Sequence, residues 1–337
     1  MKPTDFSKYI SEFISRYLPN EKGASINTIA AYRDTFVLLI KFIQEVRRIR
    51  VEKLTLGIIT RETILEFLEW LQNERKCSNS TRNSRLAAIH SFYSYLQHES
   101  LGHLYECQKI LSVKFKKTKK ETMNYLSIEG LKLLLHQPNV ATRRGRRDLS
   151  LLSLMYDTGS RVQEIIDLTP LSLRLNKPAT VTIIGKGNKA RLVPMLDAQT
   201  DHLKRYMKEN RLDEPFTNHY PLFFNSRKEK LTRSGINYIL DKYAKAARAE
   251  NPLVIPDNIS PHSLRHSKAM HLLQAGVNLV YIRDILGHVS VITTEIYARA
   301  DSKQKRDALE KAYVEVNPNE EALWLKDENL VSWLKSF

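Results

Sequence analysis

The residues best suited to chemistry are hydrogen-bond-donating cations gathered in the second half of the chain, and one tyrosine. In His262-Ser263-Leu264-Arg265 a histidine and an arginine stand three positions apart. On a helix that spacing puts both side chains on one face, where both can donate to one phosphate. The pattern is weak alone, because His202 and Arg205 repeat it within DHLKRYMKEN, a stretch that reads as a solvated helix face. Context separates the two copies. Behind Arg265 come an apolar helical run, then Leu286-Gly287-His288, then Tyr297 nine residues after the histidine. Ahead of it lies Gly159-Ser160-Arg161, where one helix ends and another begins. The helix dipole disfavours arginine at such a start unless an anion or carboxylate is near, and Glu164, three residues on, can hold the guanidinium. The plainer reading is a surface Arg–Glu pair worth little.

Lys186 stands between two glycines in GKGNK, at the tip of a predicted hairpin from which it can reach a separate cleft. Most turn lysines are simply solvated. The long G-x-x-x-x-G-K-[ST] spacing of a nucleotide-phosphate loop is absent, which excludes that class. Tyr297, one of 15 tyrosines, reads in isolation as a packed aromatic. Ile292 and Ile296 are expected to form the apolar stripe of its helix, with Tyr297 one position off it, on the side where His288 could return.

The elements that must position these residues fall into two parts. At 337 residues the chain is long enough for two domains. Its net charge of +16 favours a polyanionic partner, most often nucleic acid. The charge is uneven: residues 1–112 carry +4, 113–313 carry +15 and 314–337 carry −3. Cys77 and Cys107 are too few for a disulfide framework and lack metal-ligand spacing. No signal pattern opens the chain and no apolar run reaches spanning length, so a soluble, cytoplasmic protein is expected.

Residues 1–112 read as a small helical domain. One helix follows Asn27-Thr28 with Phe36, Leu39, Ile40 and Ile43 on one face. A second starts at Thr60 with Ile64, Phe67, Leu68 and Leu71 inward, and a third at Ser80 or Thr81 with Leu86, Ile89, Phe92, Tyr93 and Leu96 inward. Arg82, Asn83 and Arg85 crowd the first turns of the third, either as a solvated helix end or as a face turned to phosphates. The stretch 113–122, VKFKKTKKET, holds Lys114, Lys116, Lys117, Lys119 and Lys120 without apolar periodicity and reads as a basic linker. Beyond it, helices are predicted from Ser127, over Arg146 to Gly159, and over RVQEIIDL. ATVTIIGKGNKARLVPM alternates on both sides of its glycines and reads as a β-hairpin. The remainder, from about Asp197 to Val316, reads as mostly helical.

In order, the chain presents TGSRVQEIIDL, IIGKGNKARLVP, SPHSLRHSKAMHLL and LGHVSVITTEIY. Four such segments in this order and spacing resemble the tyrosine recombinases, the phage integrase and Xer-type enzymes. The resemblance spans about Asp157 to Tyr297, and the helical first domain with its basic linker is similar to that family's core-binding half. It implies a mainly α fold with a small β-sheet or hairpin, in two domains forming a C-shaped DNA clamp. The first would be a helical, SAM-like core-binding domain (1–112), joined by the linker (113–122) to a tyrosine recombinase catalytic domain (123–313).

Carried over position by position, the resemblance makes Arg161 and Arg265 the phosphate-gripping arginines and Lys186 the hairpin lysine. His262 and His288 match the two histidine positions, Tyr297 the nucleophile, and Glu164 the acidic residue that orients Arg161. Such an enzyme cleaves and rejoins DNA through a 3′-phosphotyrosyl bond, with no ATP, metal or other cofactor. Arg82, Asn83, Arg85 and the five linker lysines are candidate DNA contacts. The implied partners are double-stranded DNA with a specific recombination site, further copies of the chain in a tetramer on two sites, and accessory DNA-bending or directionality proteins. No membrane partner is expected.

The tail, 314–337, ends in LWLKDENLVSWLKSF, where Leu330, Trp333, Leu334 and Phe337 follow helical spacing. That stripe would dock on its own domain or, as the resemblance favours, on a neighbouring protomer. The helical domain starts so near Met1 that no additional arm-binding domain is expected before it. A type IB topoisomerase and a DNA-binding regulator without catalysis are the competing readings.

Overall fold

The computed structural model describes residues 3–118, 123–185, 187–288, 290–300 and 330–336. The chain divides into two compact units, Met1–Glu121 and Thr122–Phe337.

The first unit is helical. Helix α1, Asp5–Glu12, is capped by Thr4 and runs on into π-helical turns over Phe13–Glu21. Helix α2, Ile26–Glu45, starts where the Ser25 hydroxyl accepts the Thr28 N–H. Helix α3, Arg61–Asn73, starts at a reciprocal Thr60–Thr63 capping box. Helix α4, Asn79–Glu99, begins slightly earlier than predicted because Ser78, not Ser80 or Thr81, supplies the cap oxygen. Helix α5, Leu104–Leu111, closes the unit. The predicted inward residues of α3 and α4 are all buried, each contributing roughly 1.5–3 kcal/mol of apolar burial. Phe92 is the hub, edge-on to Phe13 at 5.3 Å and to Phe36 at 5.2 Å.

The start of the basic segment is not a free tether. Val113 is buried in this core. Asn83 forms a two-way clasp with Lys116, donating Nδ2–H to its carbonyl (2.8 Å) and accepting its N–H on Oδ1 (3.0 Å). Asn79 donates to the Lys117 carbonyl at 2.9 Å. Residues 113–117 are therefore strapped along the first turns of α4, which a reading based on missing apolar periodicity does not reveal.

The second unit opens with α6, Ile128–His136, capped by Ser127 as predicted, and α7, Arg143–Thr158. Gly159 ends α7 with φ +56°, a left-handed turn suited to glycine. The short α8, Val162–Ile166, follows. The predicted hairpin is present as β2, Thr180–Ile184, paired with β3, Ala190–Pro194, and an unforeseen two-residue β1, Leu173–Arg174, makes an antiparallel sheet in the order β1-β2-β3. Helices α9 (Asp197–Glu209), α10 (Arg233–Glu250), α11 (Pro261–Gln274), α12 (Leu279–Leu286) and α13 (Ile292–Ala300) follow.

Helix α11 is central, packed against α7, α10, α12 and α13. Its Ser267 hydroxyl accepts the Leu126 N–H (2.8 Å), and His271 Nε2 meets the Leu126 carbonyl (2.9 Å). The segment entering this unit is thus bonded to the helix that carries His262 and Arg265.

At the C-terminus a short helix spans Leu330–Lys335, with Leu334 exposed. The rest of the expected tail stripe lies outside the described residues or side chains. Among the described residues no helix is long and apolar enough to cross a membrane.

Candidate active site

The site is assembled where α7 ends, α8 begins, and α11, α12 and α13 converge. Arg161 is the N-cap of α8. Its N–H donates to Glu164 Oε2 at 2.9 Å and its Nη1–H to Oε1 at 2.8 Å. The Glu164 side chain is 5% exposed, so this is not the solvated surface pair that sequence spacing first suggests. Burial pushes the Glu164 carboxyl up, but hydrogen bonds from Arg191 and Arg161 outweigh it and hold the group below the usual carboxylate range.

Arg265 is 3% exposed. Its Nη1–H donates to the Gly159 carbonyl at 2.7 Å, tying α11 to the turn that presents Arg161. Its Nη2, also buried, has no hydrogen-bond partner among the described residues. Burial, and then the neighbouring Arg161 charge, push this guanidinium down to about 10, so it stays cationic at neutral pH. A buried cation with an unused donor costs free energy unless an anion completes it.

Tyr297 lies on α13. The stripe expected from Ile292 and Ile296 is reversed: these are 71% and 42% exposed, whereas Tyr297 is 1% exposed. Periodicity cannot say which face of so short a helix meets the core, and contacts with α11 and α12 decide it. The Tyr297 ring belongs to the cluster of Met270, Leu273, Ile282 and Leu286, and its hydroxyl meets His266 Nδ1 at 3.1 Å. The two readings of Tyr297 are thus compatible, because the ring is core and the oxygen faces the cationic site. Burial raises its phenol, and Arg265, by its charge and a side-chain hydrogen bond, and then the Arg161 charge pull it back.

His288 follows the left-handed Gly287, which ends α12 with φ +66°. Its ring lies parallel to the Tyr297 ring with centroids 6.3 Å apart, and its Nδ1 meets the Thr294 hydroxyl at 2.9 Å. His262 is exposed and stacks 6.3 Å from His266. Burial first, then neighbouring positive charges, hold His266 and His288 down at about 4, leaving both neutral at pH 7.

The fold therefore brings Arg161, Glu164, Arg265, His288 and Tyr297 together, with His262 at the exposed end of the row. His202 and Arg205, the second copy of the motif, are solvent-exposed on α9. Lys186 lies outside the described residues, between the described Gly185 and Gly187 at the hairpin tip. A cavity of about 440 Å³ beside the hairpin is lined by Arg161, Gly185, Lys189, Arg191, Arg283 and His288, among others. Among the described residues no group of three or more His, Cys, Asp or Glu is placed to share a metal ion.

Two residues escaped the sequence reading. His266 stands four after His262, so the two share a helix face, but the histidine next to Arg265 gave no separate signal. Arg191, on β3, donates to Glu164 at 2.7 and 3.2 Å. It alternates onto the same face of β3 as the buried Val193, a signal the sequence reading did not use, and nothing in sequence joined it to Glu164.

The candidate DNA contacts of the first unit have internal roles. Arg82 is buried because it lies on the same face of α4 as Leu86, Ile89 and Tyr93, and its guanidinium bonds Asn83 at 3.2 Å. Arg85 donates to the Ala31 carbonyl at 3.0 Å and the Thr35 hydroxyl at 3.1 Å. Asn83 is occupied by Lys116. Lys114, Lys116 and Lys117 are exposed, while Lys119 and Lys120 lie outside the described residues.

Residues 124–304 match the model of the phage integrase family, and residues 10–100 that of the phage integrase N-terminal SAM-like domain. The chain belongs to the phage integrase family. It is 34% identical over 336 residues to a Sinorhizobium fredii protein assigned to the integrase/recombinases, covering 99% of each chain. It is 33% identical to the tyrosine recombinase XerD of Halalkalibacterium halodurans, covering 85% of this chain and 91% of that one. Among solved structures it shares the fold of the XerH site-specific recombinase bound to its difH substrate, with TM-score 0.65, 22% identity and coverage of 90% and 85%. It also shares the fold of the Tn1549 transposon integrase in complex with circular intermediate DNA, with TM-score 0.68, 17% identity and coverage of 92% and 100%. This family has the mainly helical, two-domain fold with a small antiparallel sheet that the motifs implied.

Proposed function

We propose that this chain is a site-specific DNA recombinase that cuts and rejoins DNA through Tyr297. The observation that carries the reading is the placement of a buried phenol oxygen on a neutral histidine, within reach of the buried Arg265 guanidinium.

A phosphodiester resists attack because its non-bridging oxygens are negative. Arg161 and Arg265 supply planar, permanently charged donors to those oxygens as charge builds in the transition state. The Tyr297 oxygen attacks phosphorus, and its proton passes to His266 or to solvent. The phosphorus–O5′ bond breaks, and Lys186 gives the leaving oxygen its proton. His288 and His262 add donors along the same row. The 3′-phosphotyrosyl product keeps the bond energy of the phosphodiester. A 5′-hydroxyl of a second strand can therefore reverse the step and complete exchange without ATP.

In this reading residues 1–112 are the core-binding domain, 113–122 the linker and 123–313 the catalytic domain. Residues 314–337 dock on a neighbouring protomer. The exposed linker lysines run along the DNA backbone, four protomers act on two sites in the cytoplasm, and accessory DNA-bending or directionality proteins set the outcome. The family relatives named as recombinases support strand exchange over simple relaxation, and the assembled cationic site supports catalysis over regulation alone.

Covalent trapping tests the reading. Labelled, nicked duplexes from the DNA flanking the gene should form a denaturation-resistant adduct with the wild-type protein. Tyr297→Phe should form none, while binding DNA within about three-fold of wild type because phosphate contacts dominate affinity. Adduct formation by the variant would exclude Tyr297 as the nucleophile.

A further inference from the structure

Arg191 lies on β3 opposite Ile183, with its side chain 10% exposed. Burying a guanidinium is costly unless its nitrogens find partners, and each of the three nitrogens of Arg191 has one. Nε–H donates to the Ile285 carbonyl at 2.9 Å, Nη1–H to Glu164 Oε1 at 3.2 Å and Nη2–H to Glu164 Oε2 at 2.7 Å. The space beside it depends on Gly287. A Cβ on Gly287 would fall 2.8 Å from Arg191 Nη1, too close to be accommodated without a shift. One guanidinium thus joins three elements, and each leads directly to the site. Glu164 holds Arg161, the end of α12 leads to His288, and the start of β3 lines the same cavity as Arg161 and His288.

The charges matter as much as the geometry. A carboxylate paired with Arg161 alone would cancel its charge and compete with the phosphate. With two guanidinia on one carboxylate, the trio keeps a net positive charge. The partly exposed Arg161 is then the member able to pass that charge to an anion, because the hydrogen-bonding edge of Arg191 is spent on protein.

We infer that Arg191 is a positioning residue for cleavage: it saturates Glu164 so that Arg161 is fixed in place yet still charged towards the scissile phosphate. It also pins the end of α12 beneath His288. The inference rests on the recombinase reading above.

The test compares Arg191→Met, which keeps length without charge, and Arg191→Lys, which keeps charge without the fork. Cleavage rates are measured on labelled nicked duplexes from the gene's flanks, with either a normal phosphate or a neutral methylphosphonate at the scissile position. Arg191→Met should cleave the normal substrate about 10²-fold more slowly, the scale of a misplaced catalytic group, while binding it within about three-fold. On the methylphosphonate, where less charge must be held, its deficit should shrink to within about ten-fold. Arg191→Lys should fall between Arg191→Met and wild type on the normal substrate and show the same narrowing. If Arg191→Met does not fold, the narrowing is read from Arg191→Lys.

Wild-type cleavage rates in the variants, or equal deficits on both substrates, would overturn the inference and leave the recombinase reading standing. Absence of any adduct with the wild-type protein would overturn that reading and the inference together.

Discussion

Glu164→Gln offers the sharpest test of how the site is held. The wild-type carboxylate accepts four hydrogen bonds, from the Arg161 N–H, Arg161 Nη1, Arg191 Nη1 and Arg191 Nη2, between 2.7 and 3.2 Å. An amide removes the charge and replaces one acceptor oxygen with a donor that faces guanidinium donors. Breaking a buried ion pair from one side costs about 3–5 kcal/mol. Arg161 is 35% exposed, so solvent recovers part of its share, and a loss of about 3 kcal/mol is expected. For a unit of this size that lowers the melting temperature by about 6–12 °C.

The difference should depend on pH in a defined direction. The folded-state pKa of Glu164 lies below its unfolded value, which is about 4.3. Its contribution is therefore present above about pH 4.3 and is lost as pH falls through the lowered folded value. Scanning calorimetry of wild type and Glu164→Gln at pH 7 and at about pH 3.5 should show a gap that narrows in acid. A gap below about 1 kcal/mol at pH 7, the scale of a surface pair, or one that widens in acid, would refute the buried-clasp account.

Other outcomes follow from the same geometry. His266→Ala should slow adduct formation by about 10²–10⁴-fold if His266 takes the phenol proton. Because the ring is held at about 4, the acid limb of wild-type cleavage assigned to it should lie near there, and a limb at the ordinary histidine value would contradict the environment described. Lys114→Gln combined with Lys117→Gln should reduce the salt dependence of DNA affinity by about two phosphate contacts, whereas Arg82→Met should leave that slope unchanged because Arg82 is buried. Lys186→Ala should slow cleavage strongly on a normal phosphate but much less on a 5′-bridging phosphorothiolate, whose leaving group needs no proton. Equal losses on both would remove Lys186 from the acid role.

The sequence alone determined more than the family. Cap residues and apolar spacing set the starts of α3 and α6, the glycine stop of α7 and the β2–β3 pairing, because these depend on contacts within a few residues. The order of Arg161, Lys186, His262, Arg265, His288 and Tyr297 was equally legible as a pattern of chemical types. Tertiary structure decided what each local signal was for. The Arg161–Glu164 spacing fits an exposed pair as well as a buried one, and the approach of β3 and the end of α12 is what excludes water from it. Arg82 read equally as a solvated helix end or a phosphate-facing residue, and the fold instead places it on the buried stripe of α4. The stripe of α13 was misassigned because exposed and buried faces of a short helix are distinguished by what packs on them. His266 and Arg191 meet partners 31 and 27 positions away, a distance over which residue periodicity carries no information and only the closed fold brings the groups together.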